Sequence, residues 1–512
     1  MTTKRFKGED RDQTRLLCVS LKEQLKPGSF EYAVDCVIDG LYGDDFLTER
    51  FCNDKTGCTA YLPKTLLKVV LVAYGRGIMG SRPIEHACRT DTIFMALTGE
   101  LYPDHSTITK FVSELGPRLH EVFADVLMVC DDEDLLLGTR FALDGLKLPS
   151  NASKEWSGTF QQLRKKRDKL VRKVEVLAKE HKRVNNRLAK GKSAQCGPTA
   201  HEKLMKSIDK LSGFIETNKP RIGAEGKEVQ SNITDNESCK MKTSHGTIQG
   251  FNAQALVNEN QIIQYADIAD SGQDGSVIKE LMECAAATAE AAGLGKDYYN
   301  GKTLLADSNY HSRKNLEAAE AAGVDAIIPD NMFRSRDTRF DTREEHKSKV
   351  RKKKNLFTLK DFKYMEEGDY YTCPKGEALT LFARESKTGR GNLYRRYSIK
   401  KSNYACESCD FSKRCLSKKA KRKSLNIPVE GSSLTILQKM RERIDTPKAK
   451  LEYSKRMGIV EPVFGNIRHN KRLNRFNYRT REKVNWQWLL FCLVHNIEKI
   501  GRYGKSYVQA PI

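Results

Sequence analysis

The stretch that decides the fold is Gly138-Thr-Arg-Phe-Ala-Leu-Asp-Gly-Leu146, an apolar run interrupted by one acidic residue. Its composition predicts a buried strand that ends near Asp144. A second run of this kind, Lys302-Thr-Leu-Leu-Ala306, is followed directly by Asp307. Ligands gather at the carboxyl ends of strands in α/β sheets, so the two runs indicate a sheet with a pair of carboxylates at one edge.

The segments between and after these runs predict the rest of that sheet. A β-hairpin is predicted at 250–268, helices at 274–293 and 311–322, and a further strand at 324–329. The order strand, hairpin, helix, strand, helix, strand predicts a mixed α/β fold.

The residues before the first strand predict a helical amino-terminal domain, 1–135. One helix is predicted at 64–74, another opens at Ser81, and Asp104 or Ser106 caps a third. Three short helices suit a helix-turn-helix-like module that recognises DNA ends. They equally suit a domain for dimerisation or support of the core, and the sequence leaves both readings open.

Two insertions interrupt the predicted core, which begins at 136. Leucine and valine residues seven apart predict a coiled-coil seam, followed by a second apolar stripe, so 155–230 is predicted to be a basic antiparallel helical hairpin. Residues 334–432 form a basic, strand-rich, cysteine-rich insertion, which leaves 136–333 as the first part of the core. Residues 433–512 are its helical carboxyl-terminal part.

Charge favours a nucleic-acid partner. The chain carries a formal net charge of +23, and a surface this basic usually faces a polyanion rather than being merely soluble. The net charge is −6 over residues 1–135, +10 over 155–230 and +15 over 334–423. The middle of the chain, including the run Lys352, Lys353 and Lys354, is therefore predicted to contact DNA phosphates.

Several partners are not expected. No apolar run reaches about 18 residues and no amino-terminal apolar segment stands out, so we expect no membrane partner. No G-x-x-x-x-G-K-[ST] loop occurs, so we expect no nucleotide cofactor. Fourteen cysteines without a secretion signal indicate a reducing, cytoplasmic setting.

The acids at the predicted strand ends suggest metal chemistry. Carboxylates that converge there suit Mg²⁺, or Mn²⁺, and two such ions can activate an attacking hydroxyl and stabilise a leaving oxygen of a phosphodiester. Asp144 and Asp307 would supply two ligands, and a third acid is needed. Taken singly, each aspartate is equally explained as a cap or turn residue.

The sequence resembles the DDE transposases of bacterial insertion sequences, whose catalytic domain has an RNase-H-like fold. The nearest group is the IS four/five clan, especially its eleven-eighty-two branch. The motifs that carry the resemblance begin at both acids, at the hairpin and in the helical domain. They are Leu143-Asp-Gly145, Ala306-Asp-Ser-Asn-Tyr310, Gly250-Phe-Asn-Ala-Gln254, Tyr61-Leu-Pro-Lys64, Gly80-Ser-Arg-Pro-Ile-Glu85 and Pro103-Asp-His-Ser-Thr-Ile108.

The last motif is the most specific. Tyr453-Ser-Lys-Arg456 precedes Val460-Glu-Pro-Val-Phe-Gly-Asn-Ile-Arg468, which is similar to the family's Tyr-x2-Arg-x3-Glu-x6-Lys helix. The resemblance implies that Glu461 is the third metal ligand and that Tyr453 and Arg456 position DNA. Four residues rather than three precede Glu461, and Arg468 replaces the lysine, although an arginine can still clamp a phosphate.

The resemblance implies DNA transposition. Water would attack the phosphodiester at an element end, and the freed 3′-hydroxyl would attack target DNA. The implied partners are double-stranded DNA (the terminal inverted repeats and the target) and a second copy of the chain, in the bacterial nucleoid. The alternatives are a non-catalytic DNA-binding protein derived from a transposase and a metal-dependent nuclease without strand transfer.

Four cysteines are grouped in the second insertion. Cys406-x2-Cys409-x5-Cys415 is compact, and Cys373 lies upstream. Four thiolates suit tetrahedral Zn²⁺, and an insertion with a small core needs a staple. We therefore hypothesise a structural zinc site, with free thiols as the alternative.

Overall fold

The structure is a computed structural model of the 512-residue chain. It describes residues 20–49, 51, 59–188, 200–223, 226–243, 246–270, 272, 274–340, 357–387, 393–399, 406–416, 420–429 and 433–507. The chain divides into two compact units. The first comprises 1–135 with 470–472 and 490–512, and the second comprises 136–469 with 473–489. The sequence predicts that all of 433–512 belongs to the core, whereas 470–472 and 490–512 group with the first unit.

The first unit is helical. Its helices are α1 (Phe30–Leu41), α2 (Pro63–Gly75), α3 (Ser81–Thr90), α4 (Thr92–Thr98), α5 (His105–Leu115) and α6 (Leu119–Asp132). The predicted cap of α5 is present, since Asp104 Oδ1 accepts hydrogen bonds from the backbone N–H groups of Ser106 and Thr107. Nearly every residue of α2 is buried, so α2 forms the centre of this unit.

A mixed sheet organises the second unit, as the sequence predicts. Its strands are β1 (Arg140–Pro149), β4 (Cys239–Thr243), β5 (Gly246–Asn258), β6 (Ile263–Ile268), β7 (Thr303–Ala306) and β8 (Asp325–Ile327). On one side of β1 runs β5, antiparallel to it, and both β4 and β6 pair with β5. On the other side β7 and β8 run parallel to β1.

Helices cover this sheet. They are α9 (Ile278–Ala291), α10 (Arg313–Ala321), α12 (Ser433–Ile444), α13 (Pro447–Gly465), with a π-helical segment at Asn466–Asn470, and α14 (Arg481–Tyr503). Side chains of α9 and α10 bury the apolar residues of β1 and β7, and α12 packs against their edge. Among the described helices, none is both long enough and apolar enough to cross a lipid bilayer.

The first insertion is a helical hairpin. Its helices are α7 (Phe160–Leu188) and α8 (Ala200–Thr217). Leu163, near the start of α7, packs on Leu211, near the end of α8, so the helices are antiparallel as predicted. At the base, β2 (Ser157–Gly158) pairs with β3 (Ser231–Asn232).

The second insertion contains its own small sheet. The strands are β9 (Lys363–Met365), β10 (Tyr370–Thr372), β11 (Ala378–Lys387), β12 (Leu393–Ser398) and β13 (Ser424–Pro428), in the spatial order β13-β12-β11-β10-β9. A one-turn helix, α11 (Ser412–Cys415), follows the second and third clustered cysteines. Among the described residues of this insertion, six buried side chains form one apolar core.

A close backbone approach explains the glycine that opens the hairpin motif. Gly250 lies opposite Pro149 in the β1–β5 register. A Cβ atom at this position would overlap the backbone oxygen of Leu148, and backbone atoms cannot rotate away. The position therefore requires glycine while the strands remain paired.

We predict that Gly250→Ala lowers the free energy of unfolding by about 1–3 kcal/mol, the usual cost of overpacking. Gly213→Ala is the matched control, because a Cβ atom there meets nothing within 4 Å and alanine favours the helix. Urea unfolding followed by circular dichroism measures both. Equal midpoints for the two variants would contradict the close approach.

Candidate active site

The two predicted aspartates lie side by side. Leu143 of β1 is the register partner of Ala306 of the parallel strand β7, so Asp144 and Asp307 are the next residues of adjacent strands. Asp307 caps the short helical turn that follows β7, accepting the backbone N–H of Asn309 at 2.8 Å. The structure thus brings both acids together at the carboxyl end of β7, where α/β proteins bind ligands. The prediction that the first strand ends near Asp144 is wrong, because β1 continues past it to Pro149 and stays paired with β5.

The environment of Asp144 disfavours its charged form. Its side chain is only 21% exposed. Burial is the main reason that the pKa of Asp144 rises to about 6, and the neighbouring Asp307 adds to the rise while Arg456 opposes it. Desolvated carboxylates that repel each other gain from a nearby cation, and their oxygen atoms are the ligands that Mg²⁺ prefers. The donor set therefore fits a divalent ion.

A buried arginine supplies a positive charge at this edge. Arg456 lies on α13, is 8% exposed, and places Nη2 at 2.6 Å from Asp144 Oδ2. Its Nε is buried and has no hydrogen-bond partner among the described residues, although buried donors are nearly always paired. Tyr453, one turn earlier, packs edge-on against Phe333 with ring centroids 5.5 Å apart.

The predicted third acid is placed differently. Glu461 is exposed on α13, and five residues after Arg456 correspond to a rotation of about 140° around the helix. Glu452, on the face of Arg456, binds Arg140 at 2.6 Å. Within the described ranges, no group of three or more His, Cys, Asp and Glu is arranged to hold a metal ion. The structure therefore does not join Glu461 to the aspartates in a preformed site.

The remaining predicted residues lie elsewhere. Arg468 lies in the π-helical segment, and its Nε is also buried without a hydrogen-bond partner. The run Lys352, Lys353 and Lys354 lies outside the described residues. The four clustered cysteines, Cys373, Cys406, Cys409 and Cys415, line one pocket in the second insertion.

Sequence reasoning missed a buried carboxylate beside the site. Asp274, in the loop after β6, has a side chain that is 5% exposed. Its Oδ1 accepts Asn252 Nδ2 at 2.6 Å and Gln254 Nε2 at 3.2 Å, and Lys147 Nζ reaches its Oδ2 at 3.3 Å. The buried amides Asn252 and Gln254, in the middle of β5, were the available signal, because buried polar groups need partners.

These amides explain the glycine after Asp144. Gly145 is the register partner of Gln254, and a Cβ atom on it would approach Asn252 Oδ1 to 2.6 Å. The amides therefore pack directly against the backbone that carries Asp144.

A buried tyrosine closes the network from the other aspartate's side. Tyr310, three residues after Asp307, donates its hydroxyl to Gln254 Oε1. Burial raises the pKa of Tyr310 well above its ordinary value, and three nearby aspartates raise it further. These are Asp274, Asp144 and Asp307. The phenol therefore stays protonated and remains a hydrogen-bond donor.

Two family profiles match the chain. A transposase DDE domain matches residues 372–501, and a transposase domain, DUF772, matches residues 19–114. These matches support a DDE-type transposase. The DDE match includes Glu461 and the four clustered cysteines, whereas Asp144 and Asp307 lie before it. No curated protein and no solved structure matches the chain.

We predict that Asp274→Ala lowers the free energy of unfolding by about 1–3 kcal/mol, because buried donors lose their acceptor. Asp325→Ala is the control. Asp325 is 46% exposed and pairs with Arg443 at 2.6 Å, and exposed ion pairs contribute at most about 1 kcal/mol. Urea unfolding compares the two. A loss no larger for Asp274 than for Asp325 would mean that the buried network does not support the site.

Proposed function

We propose that the chain is the transposase of a bacterial insertion sequence of the IS four/five clan, in its eleven-eighty-two branch, and that its second unit has an RNase-H-like catalytic core. The observation that carries the proposal is the placement of Asp144, midway along β1, beside Asp307, which directly follows the parallel strand β7. The transposase matches at both ends of the chain support it. The mixed sheet, with β1 between an antiparallel hairpin and two parallel strands, supports the core assignment.

Asp144, Asp307 and Glu461 would hold two Mg²⁺ or Mn²⁺ ions. When bound, such ions supply charge that activates the attacking hydroxyl and stabilises the leaving oxygen. In the first step water cleaves the phosphodiester at an element end and frees a 3′-hydroxyl. In the second, that hydroxyl attacks a target phosphodiester in line and displaces the target's own 3′-oxygen. The protein contributes positioning and charge.

Two arginines would bind the DNA backbone beside this edge. Arg456 and Arg468 each present a buried Nε without a hydrogen-bond partner. A phosphate oxygen is a suitable acceptor, because arginine forms strong charge-assisted hydrogen bonds with phosphate. Tyr453, adjacent to Arg456 on α13, would help to orient the same strand.

Longer contacts with double-stranded DNA would come from the insertions. On α7 the exposed bases outnumber the exposed acids, and they are Arg164, Lys165, Lys169, Arg172, Lys173 and Lys179. We propose that this hairpin and the second insertion, with Lys352, Lys353 and Lys354, contact element ends and target. The first unit would recognise ends or join two copies into a homodimer.

We predict that Asp144→Asn, Asp307→Asn and Glu461→Gln each abolish cleavage and joining while duplex binding persists. The assay follows a labelled duplex carrying the inverted repeats that flank the coding sequence, with Mg²⁺ and a target plasmid. Glu452→Gln is the matched control on α13, because its acid pairs with Arg140 and should be dispensable for chemistry.

The outcomes separate the alternatives. Cleavage without joining by the unsubstituted chain would identify a nuclease, and binding without cleavage would identify a non-catalytic DNA-binding protein. An active Glu461→Gln variant beside an inactive Glu452→Gln variant would move the third acid to Glu452.

We predict that Arg456→Lys and Arg468→Gln each weaken binding to all duplex sequences alike, roughly tenfold or more, because a hydrogen bond to a charged group contributes about 1.5–3 kcal/mol. Arg456→Lys retains a positive charge but replaces the planar guanidinium, including its Nε donor, with an ammonium group. Fluorescence anisotropy across a salt series measures affinity, and Arg468→Gln should lower the salt slope by about 0.9. Lys455→Gln, an exposed neighbour that pairs with Glu452, is the control; an equal effect there would refute specific phosphate contacts.

A further inference from the structure

The fold brings a distant cysteine to the compact cysteine motif. Cys373 follows β10 in the tight turn that leads to β11, where its N–H donates to Glu377 O at 2.9 Å and its own oxygen accepts Gly376 N–H at 2.8 Å. Cys406 and Cys409 precede α11, and Cys415 ends it. All four line one pocket, although Cys373 is separated from the others along the chain.

The side chains of this pocket that could bind a metal ion are all cysteine thiols. Among the described residues that line it, no carboxylate and no imidazole is present, and the other walls are mainly apolar. Two lysines also line it. Lys375 pairs with Asp410 at 2.7 Å, and Lys423 donates to Cys415 O at 3.2 Å. A set of four thiols selects a soft, tetrahedral ion, and zinc is the usual one.

The four cysteines are free thiols, and none is in a disulfide. Cys406 is buried and the other three are partly buried. Each can therefore supply a sulfur ligand to a metal ion in this pocket.

The insertion needs a cross-link of this kind. Its sheet has five strands, two of them three residues long, around six buried side chains, and one of these is Cys406 itself. Cores of this size give little stability, and natural small domains add disulfides or a structural metal. The pocket lies where a cross-link would join the β10–β11 turn to the 406–415 segment.

We propose that Cys373, Cys406, Cys409 and Cys415 together bind one Zn²⁺, which joins the β10–β11 turn to the α11 segment. Each thiol that binds releases its proton to solvent. The thiols line the pocket without a preformed ligand geometry, and coordination draws them together, since metal binding and local folding are coupled. The site is separate from the aspartates and independent of the proposed transposition.

The first test measures metal in the full-length chain, purified without chelator. Mass spectrometry of the acid-dissolved protein should find about one zinc per chain, as a Cys₄ site requires. Cys373→Ser and Cys406→Ser should each reduce the zinc content to a small fraction of this value. Cys284→Ser is the control, because Cys284 is also partly buried but lies outside the cluster and should leave the zinc content unchanged.

A second measurement keeps the proposal testable if a variant fails to fold. In the unsubstituted chain, Co²⁺ exchanged for zinc should give the thiolate-to-metal absorption and the intense visible bands of a tetrahedral four-thiolate site. Treatment with a mercurial, which binds the cysteine sulfur atoms in place of the metal, should release the metal and lower the midpoint temperature of thermal unfolding.

The outcomes that overturn the proposal are distinct. A native chain without stoichiometric zinc, in which all four thiols react freely, refutes the site. The site is also refuted if the mass of the intact chain shows that two of the four cysteines have lost their thiol hydrogens to a disulfide. An unchanged cobalt spectrum in Cys373→Ser refutes the four-ligand set, since Cys373 is the member that only the fold brings to the others.

Discussion

The Asp144 carboxylate lies partly desolvated beside Asp307. The buried guanidinium of Arg456, 2.6 Å from Asp144, offsets the cost of holding this negative charge. Burial raises the pKa of Asp144, and the like charge of Asp307 raises it further. Arg456 provides the opposing charge from α13, so the register of β1 with β7 and the packing of α13 depend on each other. Arg456 thus places a positive charge on one of the carboxylates that would bind a divalent cation.

A further, buried carboxylate, Asp274, stabilises the part of the sheet that carries the two acids. Asp274 accepts hydrogen bonds from Asn252 and Gln254, which hold the side chains of β5 against the backbone at Gly145. Tyr310 binds the other end of Gln254. The loop after β6, the antiparallel strand and the turn after Asp307 therefore share one hydrogen-bond network, so disturbing any of them should shift the position of both acids.

The sequence predicts the sheet because its buried strands contain short apolar runs, as before Asp144 and Asp307, but it does not show that β1 continues past Asp144 to Pro149. It does not predict Asp274, because an aspartate in a glycine-containing loop is indistinguishable from a turn residue. The grouping of 490–512 with the first unit depends on contacts far apart along the chain. The joint pocket of Cys373 and the later cysteines depends on a strand register that spacing cannot give.

Both insertions can be accommodated without disturbing the core, because local contacts hold the two ends of each insertion together. The helical hairpin enters and leaves through the β2–β3 pair. At the start of the second insertion, Arg336 forms ion pairs with Asp330, which precedes the insertion, and with Asp445, which follows it. Closing a longer loop adds little entropy cost once its ends are fixed, so the core is insulated from the length of either insertion. An insertion attached only at its ends gains little stability from the core, which is the physical reason to propose a separate cross-link within the cysteine-rich sheet.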